Sequence, residues 1–321
     1  MPVPFRYNLR SIFYRKTTTA LTLLAIALTV GVVTIVLSVQ QGFVRAAARA
    51  GKPDNVICMR QGATSEGESS VALDTAQTVV ALPEVARNAA GQPLATPEVY
   101  LGFYLPRENG KGGTNVSIRG TGPVALEIRT DVKVVEGRLF APGRREVVVG
   151  KGLVGRIQGC RPGGVLRINA EDWAVVGVLD GGGSAYESEV WADGDQLRQF
   201  LDRPGWNTVI FKVAPGVDIG ESAKVEVPEG VSGVELAAAT QVRPATGLLG
   251  KLEGSEFKFK ALSEEEYFKA QAGLMGMIIA GLAGLLAVLL SFGAVFGCTN
   301  TLLAAVAGRT REIGSLLAVG F

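Results

Sequence analysis

Chemistry has few places to sit in this sequence. There is no histidine among its 321 residues, so His-based triads and imidazole metal sites are excluded. Cys58, Cys160 and Cys298 show no C-x-x-C spacing, which argues against a zinc site. Cys298 ends an apolar run and reads as a small packing residue. Cys58 and Cys160 can pair only if both face an oxidising compartment, and two unpaired thiols are the simpler reading. Gly181, Gly182 and Gly183 follow a strand-like run, but no Lys-Ser/Thr and no helix start come after them. Gly150-Lys151 also fails as a phosphate loop, because Arg145 breaks the glycine spacing. Both stretches read as turns. Glu187 and Glu189 alternate, which expects both on one solvated strand face rather than an acid–base pair. No nucleophile constellation is present, so the expectation is a protein that is not an enzyme.

The stretch NTLLAAVAGRTREIGSLLAVGF, residues 300–321, offers binding chemistry instead. Ile313, Leu316 and Leu317 form an apolar face, and Arg309 and Glu312 stand one helical turn apart. A short amphipathic helix of this kind can insert its apolar face in a partner's groove; the plainer reading is an interfacial anchor.

The elements that would position this stretch are two uncharged apolar runs. Residues 20–39 are long enough for a helix of about 30 Å, the thickness of a hydrocarbon core. Thr22, Thr29, Thr34 and Ser38 are tolerable there because hydroxyls bond back to helix carbonyls. Residues 272–298 form the second run. In it Ala272, Gly276, Ala280 and Gly284 recur four apart, and Gly293 and Gly297 make a GxxxG pair; such ridges allow close helix packing in lipid. Arg6, Arg10, Arg15 and Lys16 precede the first run without an acidic residue, which places the N-terminus in the cytoplasm and returns Arg309 and Arg311 there. The rival is a signal peptide cleaved near AAARA, but the apolar run is too long for an ordinary signal-peptide core. Phe5, Leu9, Ile12 and Phe13 fall at helical spacing and predict an interfacial helix before the first span.

Between the spans the pattern turns to short runs of Val, Ile and aromatics, broken by Gly, Pro and Asp: NVICMR, TNVSIRG, REVVVG, VLRINA, DWAVVGVLD, SEVWAD and NTVIFKV. Asp74 is expected to cap a helix that ends before Pro83, and DGDQLRQFLDRP repeats the scheme. Helical stalks are expected on both sides. SVQQGFVRAAARA continues the first span, and Ser263 with Glu266 has capping-box spacing at the head of a helix that runs unbroken into the second. The expected fold class is an α+β membrane protein with two transmembrane helices and a large β-rich extracytoplasmic domain. The divisions are 1–17 (cytoplasmic amphipathic helix), 18–39 (span), 40–262 (core domain with stalk), 263–299 (stalk and span) and 300–321 (cytoplasmic coupling segment). A formal net charge of +2 gives no case for nucleic-acid binding.

The series Asn300, Thr301, Ala305, Val306, Arg309, Glu312, Ile313, Gly314, Leu316, Ala318, Val319 and Gly320 resembles the signature of MacB-like/FtsX-like ABC transporter permeases. VVEGRLFAPGRREVVVGKGLV and VVGVLDGGGSAYESEVWAD look like parts of the family's periplasmic core domain. The resemblance implies a permease of the inner (plasma) membrane, with Arg309, Glu312, Ile313, Gly314, Leu316 and Gly320 docking on an ATPase. ATP and Mg would sit on that partner, and no cofactor on this chain. It also implies a second permease copy, as homodimer or heterodimer, contact with membrane lipids, and a periplasmic adaptor or hydrolase. A signalling permease that activates an extracytoplasmic hydrolase is the alternative within the family; a membrane-anchored sensor without an ATPase is the alternative outside it. Leu317 stands where the family carries a cation. The family has two further spans after the motif, so the expectation is that the gene continues past Phe321 or that another polypeptide supplies them.

Overall fold

The computed structural model describes residues 16–226, 241–254, 257–307 and 310–318. The expected interfacial helix over residues 1–17 therefore lies almost wholly outside the described residues. The chain divides into two compact units, residues 45–272 and the flanking residues 1–44 with 273–321.

The larger unit is built on strands β1 (Asn55–Arg60), β2 (Ala95–Pro106), β3 (Gly113–Thr121), β4 (Lys133–Gly137), β5 (Glu146–Gly150), β6 (Val165–Ile168), β7 (Glu171–Asp180), β8 (Glu189–Asp193), β9 (Thr208–Lys212), β10 (Lys224–Glu226), β11 (Gln241–Arg243) and β12 (Phe259–Ser263). Among the described residues the main sheet runs β12-β1-β9-β2-β3-β8-β5-β7-β4, with β6 also paired to β7, while β10 and β11 pair separately. The β3–β8 and β5–β7 pairs are parallel; the others are antiparallel. Each of the seven runs read as strands from the sequence supplies one.

The central strands are covered on both faces. Along β1, Val56 and Cys58 enter one apolar cluster while Ile57 and Met59 enter a second. β5, β8 and β9 divide in the same way, with Val148, Trp191 and Ile210 in the second cluster. Each fully buried side chain of this size contributes about 1.5–3 kcal/mol. Burial also settles the cysteines among the described side chains: Cys58 and Cys160 are free thiols, raised by desolvation, Cys160 to about 12.

Helix α1 spans Lys16–Ala50, and among the described residues the short α-helices are α2 (Leu73–Val80), α3 (Ala125–Ile128), α4 (Gly194–Phe200), α5 (Gly247–Glu253) and, near the end, α7 (Thr310–Ala318). The long helix α6 (Glu264–Ala307) lies between α5 and α7. α1 continues unbroken past its apolar run, as its helix-forming sequence requires, and Thr34 and Ser38 donate back to the carbonyls of Val30 and Thr34. Ser263 accepts from the Glu266 amide at 3.2 Å and starts α6. α6 carries Asn300 and Thr301 within it, so the terminal motif begins inside the long helix. One cap differs from expectation. Ala72 precedes α2, and Asp74 lies in its first turn, where its carboxylate favours the positive helix end without capping it. Asp193 does cap α4, accepting from the Gln196 amide at 2.8 Å.

Both α1 and α6 are long and apolar enough to cross a membrane. Large side chains along them are exposed, among them Leu24, Ile35, Met277 and Phe296.

Candidate functional site

Strand alternation puts a polar set on the same face as the second apolar cluster. On β3, Val116 and Ile118 enter the first cluster, which turns Ser117, Arg119 and Thr121 to the other side. β2 likewise sends Val99 one way and Glu98 and Tyr100 the other, and β8 sends Glu189 with Trp191. Arg119 stands opposite Tyr100 on one neighbour and Trp191 on the other. The register therefore brings three strands' polar residues together in the middle of the sheet.

Arg119 is 1% exposed and uses every N–H it has. Its Nε and Nη2 donate to Glu189 at 2.8 and 3.0 Å, Nη1 and Nη2 to Glu66 at 2.9 Å each, and Nη1 to Glu98 at 2.6 Å. Arg129, just after α3, continues the chain of charges. It clasps Glu98 through both terminal nitrogens at 2.6 and 2.8 Å and donates from Nε to Glu264 at 3.1 Å. The Tyr186 hydroxyl donates to the same Glu264 oxygen at 2.6 Å. Thr121 donates to Glu98 and the Trp191 indole to Glu189. Both arginines also lie over the Tyr186 ring, at 5.7 and 5.1 Å. These side chains are each 8% exposed or less, so the network is a buried one.

Glu264 is the first residue of α6, and through it the network reaches both helical stalks. Its second carboxylate oxygen accepts from Asn55 Nδ2 at 2.8 Å and from the Lys52 amide at 3.1 Å, just beyond the end of α1. The two backbones nearly touch there. A Cβ on Gly51 would sit 2.5 Å from the Glu264 carbonyl oxygen, so only glycine fits the crossing. One turn along α6, Tyr267 accepts from the Glu66 amide at 3.2 Å, and Phe268 and Ala272 pack in the second cluster.

The charges set the titration. Burial alone would raise the Glu98 carboxyl, but Arg129 and Arg119 outweigh it and hold the group at about 2. At Glu66 burial prevails over Arg119, helped by the neighbouring carboxylates of Glu98 and Glu189, and its carboxyl is raised.

Sequence reasoning missed this site, and the structure corrects it directly at Glu189. That residue is buried on Arg119, while Glu187 lies in a short 3-10 turn, so the two share no solvated strand face. Gly182 and Gly183 do form a turn, with φ of +62° and +81°. Among the described residues no group of His, Cys, Asp or Glu could hold a metal. The terminal-motif residues Glu312, Ile313, Gly314 and Leu316 lie on α7; Arg309 and Gly320 are outside the described residues. Of the small-residue ridge, Ala272 belongs to the domain core, and a Cβ on Gly276 would approach Gln40 at 3.4 Å. Ala280, Gly284, Gly293 and Gly297 are exposed.

Residues 19–226 match the model of the MacB-like periplasmic core domain. The chain belongs to that family. MacB-like domains are the extracytoplasmic parts of permease-type ABC transporter proteins and are not themselves enzymatic. Among solved structures the chain is similar to the periplasmic region of MacB from Actinobacillus actinomycetemcomitans, at 15% identity and a TM-score of 0.44, over 68% of this chain and 92% of that one. It is also similar to the extracellular domain of the noncanonic ABC-type transporter YknZ from Gram-positive bacteria, at 13% identity and a TM-score of 0.38, over 50% and 84% of the two chains. No curated protein matches.

Two outcomes follow for this MacB-like domain. Arg119→Met removes a charge that three carboxylates share and should cost about 3–5 kcal/mol in urea unfolding of the domain; a loss below about 1 kcal/mol would contradict the network's role. Glu98 has a folded value of about 2 against an ordinary 4.5. Its contribution is therefore complete above about pH 4.5 and lost as pH falls toward about 2. The stability gap between the natural protein and Glu98→Gln should narrow across that window by on the order of 3 kcal/mol. A gap that stays constant would contradict the assignment.

Proposed function

We propose that this chain is a membrane permease subunit of an ABC transporter. α1 and α6 span the inner membrane, the N-terminal and C-terminal segments face the cytoplasm, and the MacB-like domain stands outside. A partner ATPase binds α7 and the motif around it, and a second permease copy completes the unit. Hydrolysis draws the coupling helices together, and the movement passes along α1 and α6 into the outer domain, which engages the exported or extracted substrate. The spans carry no charged residue of the kind that marks an ion path, which favours transmission of movement over conduction through this pair of helices.

The observation that carries this reading is the junction. α1 and α6 each continue beyond their apolar runs, and both end on the same buried ionic network in the middle of the sheet. Displacing either stalk root alone would strip partners from a buried carboxylate, which is costly. The roots therefore move with the sheet. Exposed large apolar side chains along both helices fit a lipid or helix-packing environment. Small exposed residues at Ala280, Gly284, Gly293 and Gly297 provide close-packing positions for further helices.

The test is made in the complete complex with its ATPase. Glu312→Lys and Ile313→Asp should lower permease-stimulated ATP hydrolysis by about tenfold, the effect of losing about 1.4 kcal/mol of docking energy, with membrane insertion unchanged. Full stimulation in both variants would contradict the coupling role.

A further inference from the structure

Many exposed cations of the larger unit have an acidic partner. Lys151 pairs with Asp180 at 3.0 Å, Arg138 with Glu146 at 2.6 Å and Lys212 with Asp54 at 3.0 Å. One group does not. Arg107, Lys111, Arg156 and Arg161 are exposed, and among the described residues none of them enters an ion pair. The sequence gives the reason. Residues 151–170 hold four basic residues and no acid, and residues 105–115 set Arg107 and Lys111 against Glu108 alone.

Backbone bonds bring the two segments together. Arg107 and Ile157 form an antiparallel bridge. The Glu108 amide donates to the Arg156 carbonyl at 2.9 Å, and the Gln158 amide to that of Pro106 at 3.0 Å. Arg156 is thereby fixed beside the hairpin that joins β2 to β3. A cleft of about 580 Å³ lies there, lined by Arg107, Asn109, Asn115, Arg156 and Ser188, with Glu108 its one acid among the described residues. Ligand sites commonly measure about 300–1,000 Å³. The cleft stands apart from the stalk roots. Ser263 pairs with Val56, Val56 with Phe211 and Phe211 with Ala95, so the first residue of β2 lies in one row with the start of α6. The hairpin is at the other end of β2, roughly 35 Å along the strand at about 3.3 Å per residue.

We propose that this cleft docks an acidic peptide segment of another extracytoplasmic protein, with Arg107 and Arg156 as the principal contacts. Lys111, in the same hairpin, and Arg161, in the turn after Ile157, add to the attraction. An arginine with no carboxylate of its own chain can offer its planar fork to one supplied from outside, through two parallel hydrogen bonds. Several such cations against a single acid steer a negative partner toward the site. The amides of Asn109 and Asn115 and the hydroxyl of Ser188 supply the neutral hydrogen bonds that a peptide backbone needs. Shape favours a peptide over a lipid surface. A bilayer presents its headgroups in a plane and cannot enter a cleft, whereas an extended chain can. A formal net charge of +2 gives no case for nucleic acid.

That the partner is cargo or regulator of a transporter rests on the coupling reading above; the charge and shape of the cleft do not, and they are tested without the ATPase. The full chain, in phosphatidylcholine nanodiscs, is titrated with a fluorescent peptide of alternating glutamate and serine. Binding should saturate and should weaken several-fold as salt rises from about 50 to about 300 mM. Arg107→Gln combined with Arg156→Gln should weaken it by about tenfold or more. Lys133→Gln combined with Lys258→Gln removes two exposed cations outside the cleft and should leave it within about twofold. Glu108→Gln removes the opposing acid and should tighten binding several-fold, a gain that a damaged fold does not produce. Unchanged affinity in the arginine pair, or an equal loss in the lysine pair, would overturn the proposal. So would displacement of the peptide by phosphatidylglycerol vesicles or inorganic phosphate at equal charge concentration, which would make the cleft a membrane or free-anion site. None of these outcomes bears on ATPase stimulation, which the Glu312 and Ile313 variants test separately.

Discussion

Arg119 occupies the middle of the sheet with three carboxylates on it, and the organisation of the larger unit follows from satisfying them. A guanidinium this far from water is tolerable only when each of its N–H groups has a partner, and Glu66, Glu98 and Glu189 supply all of them. Those partners come from a loop and two strands, so one side chain fixes three segments at once. Glu98 then passes the constraint to Arg129, and Arg129 to Glu264. The path crosses from the sheet to the root of α6 without a break in charge-assisted hydrogen bonds.

The same constraint accounts for the tight crossing beside it. Glu264 can serve Arg129 and Tyr186 with one oxygen and the Lys52 amide with the other only if the end of α1 comes against the start of α6. Gly51 makes that approach sterically open. Tyr267 and Phe268 then seat the first turns of α6 on the second apolar cluster. Apolar packing supplies the bulk of the stabilisation there, and the ionic chain supplies the orientation. In a MacB-like domain, such a junction turns two stalk roots and a sheet into a single piece.

Much of the architecture was legible in the residues. Alternation and turn punctuation marked the strands, and Ser263 marked the start of α6. The long helices followed from uninterrupted apolar runs. The site was not legible, because strand alternation carries no sign for which face is wet. Ser117, Arg119 and Thr121 alternate with Val116 and Ile118 as they would on a half-exposed strand, and Glu187 with Glu189 suggested the same. What buries that face is α6 and the loop carrying Glu66, which are distant in sequence. The available signal was compensation: Glu98 and Arg119 are each the lone charge of a strand-like run, and Glu189 heads another. Without the register that places Arg119 between Tyr100 and Trp191, nothing links them.

The central claim is that the root of α6 and the core of the sheet form one mechanical unit. Native-state hydrogen exchange on the full chain tests it most directly, by comparing the opening free energies of the Tyr267–Ala272 amides with those of β2 and β3. The account predicts that the two sets open together, with free energies equal within about 1 kcal/mol and falling in parallel as denaturant is added. Opening of the stalk root at a clearly lower free energy, while β2 and β3 stay protected, would contradict it.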